Sequence, residues 1–288
     1  MSFRLGLILT LALFSISSTP LVVRHVVGVP ALVLAFWRML SASGMLWGYS
    51  VVIPASGKLS VQQKTLIAVA GVFLGCHFAC FFLAVRHTSI ANATFLGCML
   101  PVFTVLISLA QKKGFNKMTY VGLAISLLGA AIIQAGELSL GGENIFGNSL
   151  ALLGAFFIAV TFTIAGKIRE TTDTVVYSRM LFLVAAVTLF LISILSGDSI
   201  IDFKVEHIPW ILFLGFVPSI LGHNMLNYGL KYITPTAIAS IPLGEPVLAS
   251  ALGIVLFGEM VPPGAVVGGP IILVGVFLVV KNQSIIDT

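Results

Sequence analysis

The sequence contains very little charge. Asp, Glu, Lys and Arg make up only 9% of the 288 residues, against about 25% in an average soluble domain. Hydrophobic residues make up 58%, and the mean hydropathy is +1.12. So few charged side chains cannot cover the surface of a soluble domain of this length. The composition therefore excludes a soluble protein and predicts an all-α integral membrane protein surrounded by the lipid bilayer.

Cysteine is also scarce. The three cysteines, Cys76, Cys80 and Cys98, all lie inside apolar runs. This placement excludes a disulfide framework and leaves no zinc-binding loop. Cys76 and Cys80 flank His77, but free cysteines in apolar surroundings usually pack as small hydrophobes, so we predict no metal site.

The motifs of ATP hydrolysis and of common membrane proteases are absent. The chain has no phosphate-binding loop of the form GxxxxGK[ST], and neither HExxH nor GxSxG. The basic residues behind the net charge of +5 are scattered singly or in pairs between apolar runs. This distribution is typical of membrane orientation rather than of nucleic-acid binding. We therefore predict no cofactor, no nucleic-acid partner and no enzymatic activity.

Ten apolar runs predict ten membrane-spanning helices, since a span needs about 20 mostly apolar residues. They fall at about 5–23, 30–53, 66–85, 90–110, 119–135, 147–166, 175–196, 208–230, 235–257 and 263–280. Ten Lys and Arg residues follow or precede these runs on the side of the N-terminus, and only three lie on the opposite side. The positive-inside rule then places both termini in the cytoplasm, in a multi-pass protein of the plasma (inner) membrane.

The two halves of the chain resemble each other. Arg38 and Arg179 lie 141 positions apart in similar surroundings, and Pro101 and Pro246 lie 145 apart. Gly122 and Gly129 match Gly268 and Gly275 at an offset of 146. Residues 1–140 and 145–288 are therefore predicted to be two copies of one five-span unit. Because five is odd, the second copy is inverted relative to the first, as in many secondary transporters.

These residues also carry a family resemblance. The chain resembles the EamA-like branch of the drug/metabolite transporter superfamily over nearly its whole length. The matching segments are Val29-Pro30-Ala31, Phe36-Trp37-Arg38, Gly244-Glu245-Pro246-Val247 and Phe257-Gly258-Glu259. Span one departs from the family with Phe14-Ser15 in place of the frequent Trp-Gly, and the first half has Lys113-Gly114 where the second has Gly258-Glu259. The resemblance implies ten helices and carrier activity, usually export of amino acids or other small metabolites.

Glu245 is the strongest candidate for a functional residue. It lies near the middle of the predicted ninth span, where a carboxylate costs about 2.5–3.5 kcal/mol unless it meets a partner or a wet cavity. Pro242 and Pro246 flank it, and each removes a backbone donor. Pro101 and Pro218 are predicted to kink their own spans in the same way. Glu245 is interpreted either as a gating or proton-coupled group, or as part of a hydrogen-bonded kink.

The predicted eighth span carries a polar stripe. Ser219, His223, Asn227 and Lys231 recur every four residues and so share one helical face, with Asn224 and Tyr228 beside it. We predict that this face lines the substrate pathway; the alternative is hydrogen bonding between helices. His77 occupies the equivalent position in the third span, so both histidines are expected to face one cavity, where a histidine can carry a coupling proton.

The two repeat-related arginines allow three interpretations. Arg38 and Arg179 can snorkel to the nearer interface, which we favour, or bind an anion together, or pair with Glu245. In the first span, Ser15, Ser18 and Thr19 share one face before Pro20, and either line the same pathway or permit close helix packing.

The leading hypothesis is a secondary carrier for a small metabolite that works by alternating access, with proton coupling as one driving force and a monomer or homodimer as the assembly. An intramembrane transferase, with a reactive cluster around His77 and Glu245, and a channel-like facilitator are the alternatives.

Overall fold

The computed structural model describes residues 3–53, 59–135, 144–245, 247–248, 263–282 and 285–287, and this part of the chain is almost entirely helical. Its helices are α1 (Phe3–Ser17), α2 (Thr19–His25), α3 (Ala31–Val52), α4 (Val61–His87), α5 (Ile90–Gly97), α6 (Leu100–Ala110), α7 (Lys117–Gln134), α8 (Ile145–Arg169), α9 (Thr174–Leu195), α10 (Ile208–Leu214), α11 (Asn224–Gly229), α12 (Pro235–Ala239) and α13 (Pro263–Lys281). A π-helix (Gly215–His223) joins α10 to α11, and 3-10 turns cover Val205–His207 and Ile241–Gly244.

Within the described ranges, seven helical segments are long and apolar enough to cross a membrane. They are Phe3–His25, Ala31–Val52, Val61–His87, Ile90–Ala110, Ile145–Arg169, Thr174–Leu195 and Val205–Gly229. They coincide with the first four predicted spans and with the sixth to the eighth. The fifth and tenth correspond to the shorter apolar helices Lys117–Ile133 and Val266–Lys281. Most of the ninth lies outside the described residues, so a count of ten stays a prediction.

Local polar side chains mark where several helices begin. Ser60 and Gln63 form a capping box at the start of α4, each side chain bonding the other's backbone N–H. At the start of α9, Asp173 accepts hydrogen bonds from the N–H groups of Val175 and Val176. These caps satisfy backbone donors that the first helical turn leaves unpaired, and they fix the ends of two long spans.

Proline interrupts several spans within the membrane. Pro20 and Pro101 cannot donate to the carbonyls of Ile16 and Gly97, four residues earlier, and the helices break near them, between α1 and α2 and between α5 and α6. Pro218 lies inside the π-helix, and Pro242 inside the 3-10 turn after α12. Pro246 and the Phe257-Gly258-Glu259 motif lie outside the described residues. These interruptions rotate the side chains that follow them.

Helices from the two halves pack against each other throughout the bundle. In three of these contacts α3 packs on α9, α7 on α13 and α6 on α12, so equivalent spans meet. In two further contacts, α4 of the first half packs on α8 of the second, and α1 of the first packs on the π-helix of the second. The third span, α4, corresponds to the eighth span with its π-helix, and the sixth span, α8, corresponds to the first, α1. Replacing each span by its counterpart therefore turns the α4–α8 contact into the contact between the π-helix and α1. The contact pattern is therefore symmetric under exchange of the two halves.

Glycines allow α7 and α13 to approach closely. A methyl group added at Gly122 would lie 2.7 Å from the Gly275 carbonyl oxygen, and one added at Gly129 would lie 2.8 Å from that of Gly268. Small residues of this kind let transmembrane helices pack backbone to backbone. The two predicted pairs of equivalent glycines therefore meet crosswise at one interface.

A short strand pair qualifies the all-α prediction. Lys113–Phe115 (β1) pairs antiparallel with Ile285–Asp287 (β2), with Gly114 opposite Ile286. Both segments lie outside the predicted spans, where water can hydrogen-bond the backbone N–H and C=O groups that the two strands leave unpaired. The predicted spans themselves are helical wherever the structure describes them.

Candidate functional site: a central polar cavity

A cavity lies among the helices of both halves. Its polar lining consists of Thr19, Arg38, His77, Thr94, Cys98, His223 and Glu245, and its apolar lining of Ile16, Phe78, Phe81, Gly97, Leu100, Ile158, Phe162, Leu226 and Pro242. The space open to the centre of a water molecule is about 70 Å³. That corresponds to about five waters. The cavity thus combines a few polar groups with an apolar and aromatic wall.

Arg38 is the buried cation of this cavity. Its side chain is fully buried, and its guanidinium lies 4.3 Å from the centre of the Phe78 ring, a cation–π contact. Nε donates to Ser219 Oγ at 2.8 Å and Nη1 to Thr19 Oγ1 at 3.4 Å. Among the described residues Nη2 has no hydrogen-bond partner. The snorkelling interpretation is therefore wrong for Arg38, because the α3 face that carries it is packed inside the bundle rather than near an interface.

The π-helix holds the serine that binds Arg38. Pro218 cannot donate a backbone hydrogen bond to the carbonyl of Leu214. The π-helix pairs carbonyls with N–H groups five residues on, and the Ser219 hydroxyl also donates to the Leu214 carbonyl, at 2.8 Å, while its oxygen accepts from Arg38. One hydroxyl thus links the π-helix backbone to the guanidinium.

The structure brings the two repeat-related histidines together. The ring centroids of His77 and His223 are 6.3 Å apart, and both residues line the cavity. Nδ1 of His77 lies 2.8 Å from the Gly154 carbonyl oxygen, an acceptor that places the proton of a neutral ring on this nitrogen. Within the described part of the chain, Nδ1 of His223 has no partner. His77 is therefore oriented by α8, whereas His223 keeps a free polar atom.

Glu245 lines the same cavity immediately after the 3-10 turn. Pro242 within that turn accepts a hydrogen bond from the Cys98 thiol at 3.3 Å, which ties the turn to the break between α5 and α6. The ion pairs found among the described residues involve Glu206 and do not join Arg38 to Glu245. The predicted Arg38–Glu245 pair is therefore not formed here: the two opposite charges line one cavity without contact.

A second, larger cavity lies one helical turn further along helices that line the central one. Its volume is about 470 Å³, and its lining includes Lys113, Lys167 and Lys231. The same three helices line both cavities at positions one helical turn apart: Leu100 then Thr104, Phe162 then Gly166, and Leu226 then Leu230. One continuous face therefore runs from the central cavity to this vestibule.

At the opposite end, buried polar side chains join four helices. The Thr88 hydroxyl donates to Asn148 Oδ1 at 2.8 Å, and the Asn92 amide donates to the same atom at 3.0 Å. Arg24 donates to the Thr88 carbonyl at 2.5 Å. These bonds link the ends of α2 and α4 to the starts of α5 and α8.

The polar stripe of the eighth span is divided between two environments. Ser219 and His223 reach the cavity region, but Asn227 donates to Ser178 of α9 at 3.2 Å, and its carbonyl accepts from Arg169. Asn224, Asn227 and Tyr228 are not among the described residues that line the central cavity, whereas Leu226 is. Tyr228 instead accepts a hydrogen bond from Tyr232 and lies beside a separate pocket.

Three other predicted residues lie outside the cavity lining. Ser15 and Ser18 donate to the carbonyls of Leu11 and Ser15 in their own helix, while Thr19 of the same face reaches the cavity. The guanidinium of Arg179 lies 4.2 Å from the centre of the Trp47 ring, so the structure does not form the predicted anion-binding pair of Arg38 and Arg179.

The aromatic wall was not predicted from the sequence. Phe78, Phe81 and Phe162 lie in spans rich in phenylalanine, so nothing in the sequence distinguishes them from lipid-facing residues. The His77 ring stacks on Phe81 at a centroid distance of 6.0 Å.

Within the described ranges, no group of three or more His, Cys, Asp and Glu side chains is close enough to hold a metal ion.

Fold and cavity together define a multi-pass helical membrane protein with a polar site between its spans. A solved crystal structure of another protein has the same fold, with a TM-score of 0.76 at 15% identity, covering 97% of this chain and 98% of that one. The profile of the EamA-like transporter family matches twice, at residues 4–135 and 145–281. The chain belongs to this family and is a membrane transporter, as the resemblance in the sequence predicted.

Two relatives illustrate the similarity. The pseudopaline exporter CntI of Pseudomonas aeruginosa is 26% identical over 256 residues, covering 88% of each chain. A transporter of Archaeoglobus fulgidus is 24% identical over 238 residues, covering 81% of this chain and 83% of the relative.

Proposed function

We propose that this protein is a secondary carrier that exports small zwitterionic metabolites of the amino-acid type across the plasma membrane by alternating access. The observation that carries this proposal is that two ionisable side chains, Arg38 and Glu245, line one cavity without an ion pair between them. Burying a charge without a partner is costly. A solute with a carboxylate and an ammonium group would provide a partner for each.

The free donors of Arg38 suit the carboxylate. Nη2 has no partner in the described part of the chain and Nη1 reaches only Thr19, at the long distance of 3.4 Å. Guanidinium and carboxylate groups match geometrically and often form two parallel hydrogen bonds. Glu245, on the segment after Pro242, would bind the ammonium group. A proton that competes for the same carboxylate would couple export to the proton gradient, with His77 and His223 as further proton carriers.

The architecture supports alternating access. Contacts between the halves are symmetric under their exchange, and the family profile matches each half separately. Both observations support two inverted five-span units, 1–140 and 145–288, and ten spans in all. In such a carrier the two units rock about a central site.

The two ends of the bundle support a state open to the cytoplasm. The vestibule carries Lys113, Lys167 and Lys231, all assigned to the cytoplasmic side by the distribution of basic residues, while the Thr88–Asn92–Asn148 bonds join helices at the other end. The outward-open state would break these bonds and close the vestibule. The direction of transport is inferred from the relative named as an exporter.

Counterflow in proteoliposomes tests the proposal. Vesicles preloaded with an unlabelled amino acid should transiently accumulate the labelled one, with saturation, while the deaminated acid and the decarboxylated amine of the same solute should drive it poorly. Linear, non-saturating flux would indicate a channel, and chemical conversion of the solute would indicate a transferase; either result would contradict the carrier.

A further inference from the structure

The pocket beside Tyr228 lies where membrane-length helices end. Its volume is about 270 Å³, and it is lined by the segment 169–174, which joins α8 to α9, and by Tyr228, Lys231 and Tyr232 around the end of α11. Arg169 is the last residue of one membrane-length segment, and Tyr228 is the last but one of another. Tyrosine is enriched at this level of membrane proteins, where its ring meets the lipid headgroups. The pocket therefore lies at the height of the headgroups.

Arg169 is a buried cation in the wall of this pocket, with 1% of its surface exposed. Its Nε donates to the Asn227 carbonyl at 3.0 Å, and its Nη2 donates to the Thr174 hydroxyl. Among the described residues Nη1 has no hydrogen-bond partner. A buried, charged donor without an acceptor is destabilising. An anionic group in the pocket would provide the acceptor that the described part of the protein does not.

Threonine hydroxyls in the same wall can donate to such a group. The Gln63 amide donates to the hydroxyl oxygens of Thr171 and Thr172, at 3.2 and 3.1 Å. The hydroxyl oxygen of Thr174 accepts from Arg169. Because each of these oxygens acts as an acceptor, each hydroxyl keeps its own proton for a further bond. Guanidinium, ammonium and hydroxyl donors around one space are suited to the oxygens of a phosphate group.

The pocket carries charges of both signs. Arg169 and Lys231 are cationic, and Glu170 and Asp173 are anionic. The ion pairs found among the described residues involve Glu206 and none of these four. Asp173 Oδ1 accepts hydrogen bonds from N–H groups at the start of α9, whereas Glu170 is exposed. Charges that balance without pairing to each other in the described chain suit a zwitterion better than a simple anion.

We propose that this pocket binds the headgroup of an ethanolamine phospholipid, with the phosphate on Arg169 and the ammonium group on Glu170. Lys231 and the threonine hydroxyls bind further phosphate oxygens. A free phosphoethanolamine compound has the same chemistry, but the position at the ends of two spans favours a lipid whose acyl chains lie in the bilayer. Glu170, Lys231 and Tyr232 also line the vestibule, so a bound headgroup would hold the segment 169–174 at the edge of the vestibule.

Lipid titration of the purified full chain tests the site, with native mass spectrometry to measure the fraction of protein that carries one bound lipid. Phosphatidylethanolamine, phosphatidylcholine and phosphatidylglycerol with the same acyl chains are compared. The wild type should bind the ethanolamine lipid most tightly, because the choline lipid has no N–H donor for Glu170 and the glycerol lipid has no ammonium group. Glycerophosphoethanolamine, the headgroup without acyl chains, should bind far more weakly.

Lys231→Gln and Lys167→Gln form a matched pair of variants. Both lysines are exposed and line the vestibule; Lys231 also lines the pocket, whereas Lys167 is not among its described lining residues. Lys231→Gln should weaken binding of the ethanolamine lipid about 2- to 5-fold, and Lys167→Gln should leave it unchanged. Glu170→Gln should remove the preference for the ethanolamine lipid over the choline lipid.

A variant of the buried arginine adds a larger effect. Arg169→Lys keeps the charge but loses the planar fork of donors, and it should weaken all three phospholipids about 10-fold or more. If this variant does not fold, because Arg169 also bonds Asn227 and Thr174, the exposed variants Lys231→Gln and Glu170→Gln still decide the assignment.

Three results would overturn the proposal. Equal binding of the three lipids, or an equal loss in both lysine variants, would show that the pocket does not recognise a headgroup. Tighter binding of the glycerol lipid than of the ethanolamine lipid would contradict the role of Glu170. Glycerophosphoethanolamine that binds as tightly as the lipid would assign the pocket to a free solute. Because the measurement is lipid binding, these outcomes are independent of whether the protein transports an amino acid.

Discussion

Replacing Arg38 with Gln tests whether its guanidinium binds a solute carboxylate. The substitution removes the charge and both terminal nitrogens, of which Nη2 is free in the described structure and Nη1 is weakly used. Each charge-assisted hydrogen bond contributes about 1.5–3 kcal/mol. Loss of one such bond corresponds to about a 10- to 150-fold weaker affinity for a carboxylate solute.

The assay compares alanine with ethylamine, its decarboxylated analogue, as competitors in counterflow. In the wild type, alanine should compete far better than ethylamine. In Arg38→Gln this preference should collapse, because only alanine loses a partner. Arg179→Gln is the matched control, since that guanidinium stacks on Trp47 and is absent from the described lining of the cavity.

The reasoning is refuted by an unchanged ratio. If Arg38→Gln weakens competition by alanine and by ethylamine equally while the purified protein stays monodisperse, Arg38 stabilises the helix packing and does not bind the solute carboxylate. Arg38→Lys provides a second comparison, because it keeps the charge but loses the planar fork of donors. It should retain part of the preference for alanine if the charge contributes.

Three further predictions address coupling, packing and orientation. Glu245→Gln should abolish accumulation driven by a proton gradient and spare exchange at saturating solute; preserved pH-dependent uptake would exclude proton coupling through this residue. Gly129→Ala should lower the free energy of unfolding by about 1–3 kcal/mol, because the new methyl lies 2.8 Å from the Gly268 carbonyl oxygen. Thermal unfolding, followed with a thiol-reactive dye that labels the buried cysteines as they become exposed, measures this change. Gly44→Ala, where an added methyl meets nothing within 4 Å, is the control and should not be destabilised. Lys113→Cys should react with an impermeant thiol reagent only from the cytoplasmic side, and labelling from outside would reverse the orientation.

The spans were predictable because membrane insertion depends on local composition. Seven predicted spans coincide with helices of sufficient length and hydropathy, since each needs only a continuous apolar run. The repeat-related histidines were expected to face one cavity, and their rings lie 6.3 Å apart in its lining. That they belong to a solute pathway stays a prediction.

The faces of the helices were less predictable. Asn227 follows His223 by four residues, yet it bonds to Ser178 instead of lining the cavity. The step from His223 to Asn227 lies in the regular α11, but the cavity is lined there by Leu226, three residues after His223, while Asn227 turns to α9. Ser15 and Thr19 diverge because the helix breaks between them.

A helical membrane protein, the positions of most spans, the similarity of the two halves and the family all follow from the amino-acid sequence, because composition, hydropathy and motifs are properties of short segments. The burial of Arg38 beside Ser219 and Phe78, in a cavity that Glu245 also lines without an ion pair, is seen only in the folded bundle. Those contacts depend on how each helix is rotated against its neighbours. That rotation results from breaks, π-turns and glycine contacts acting between distant segments, and no single stretch of sequence contains it.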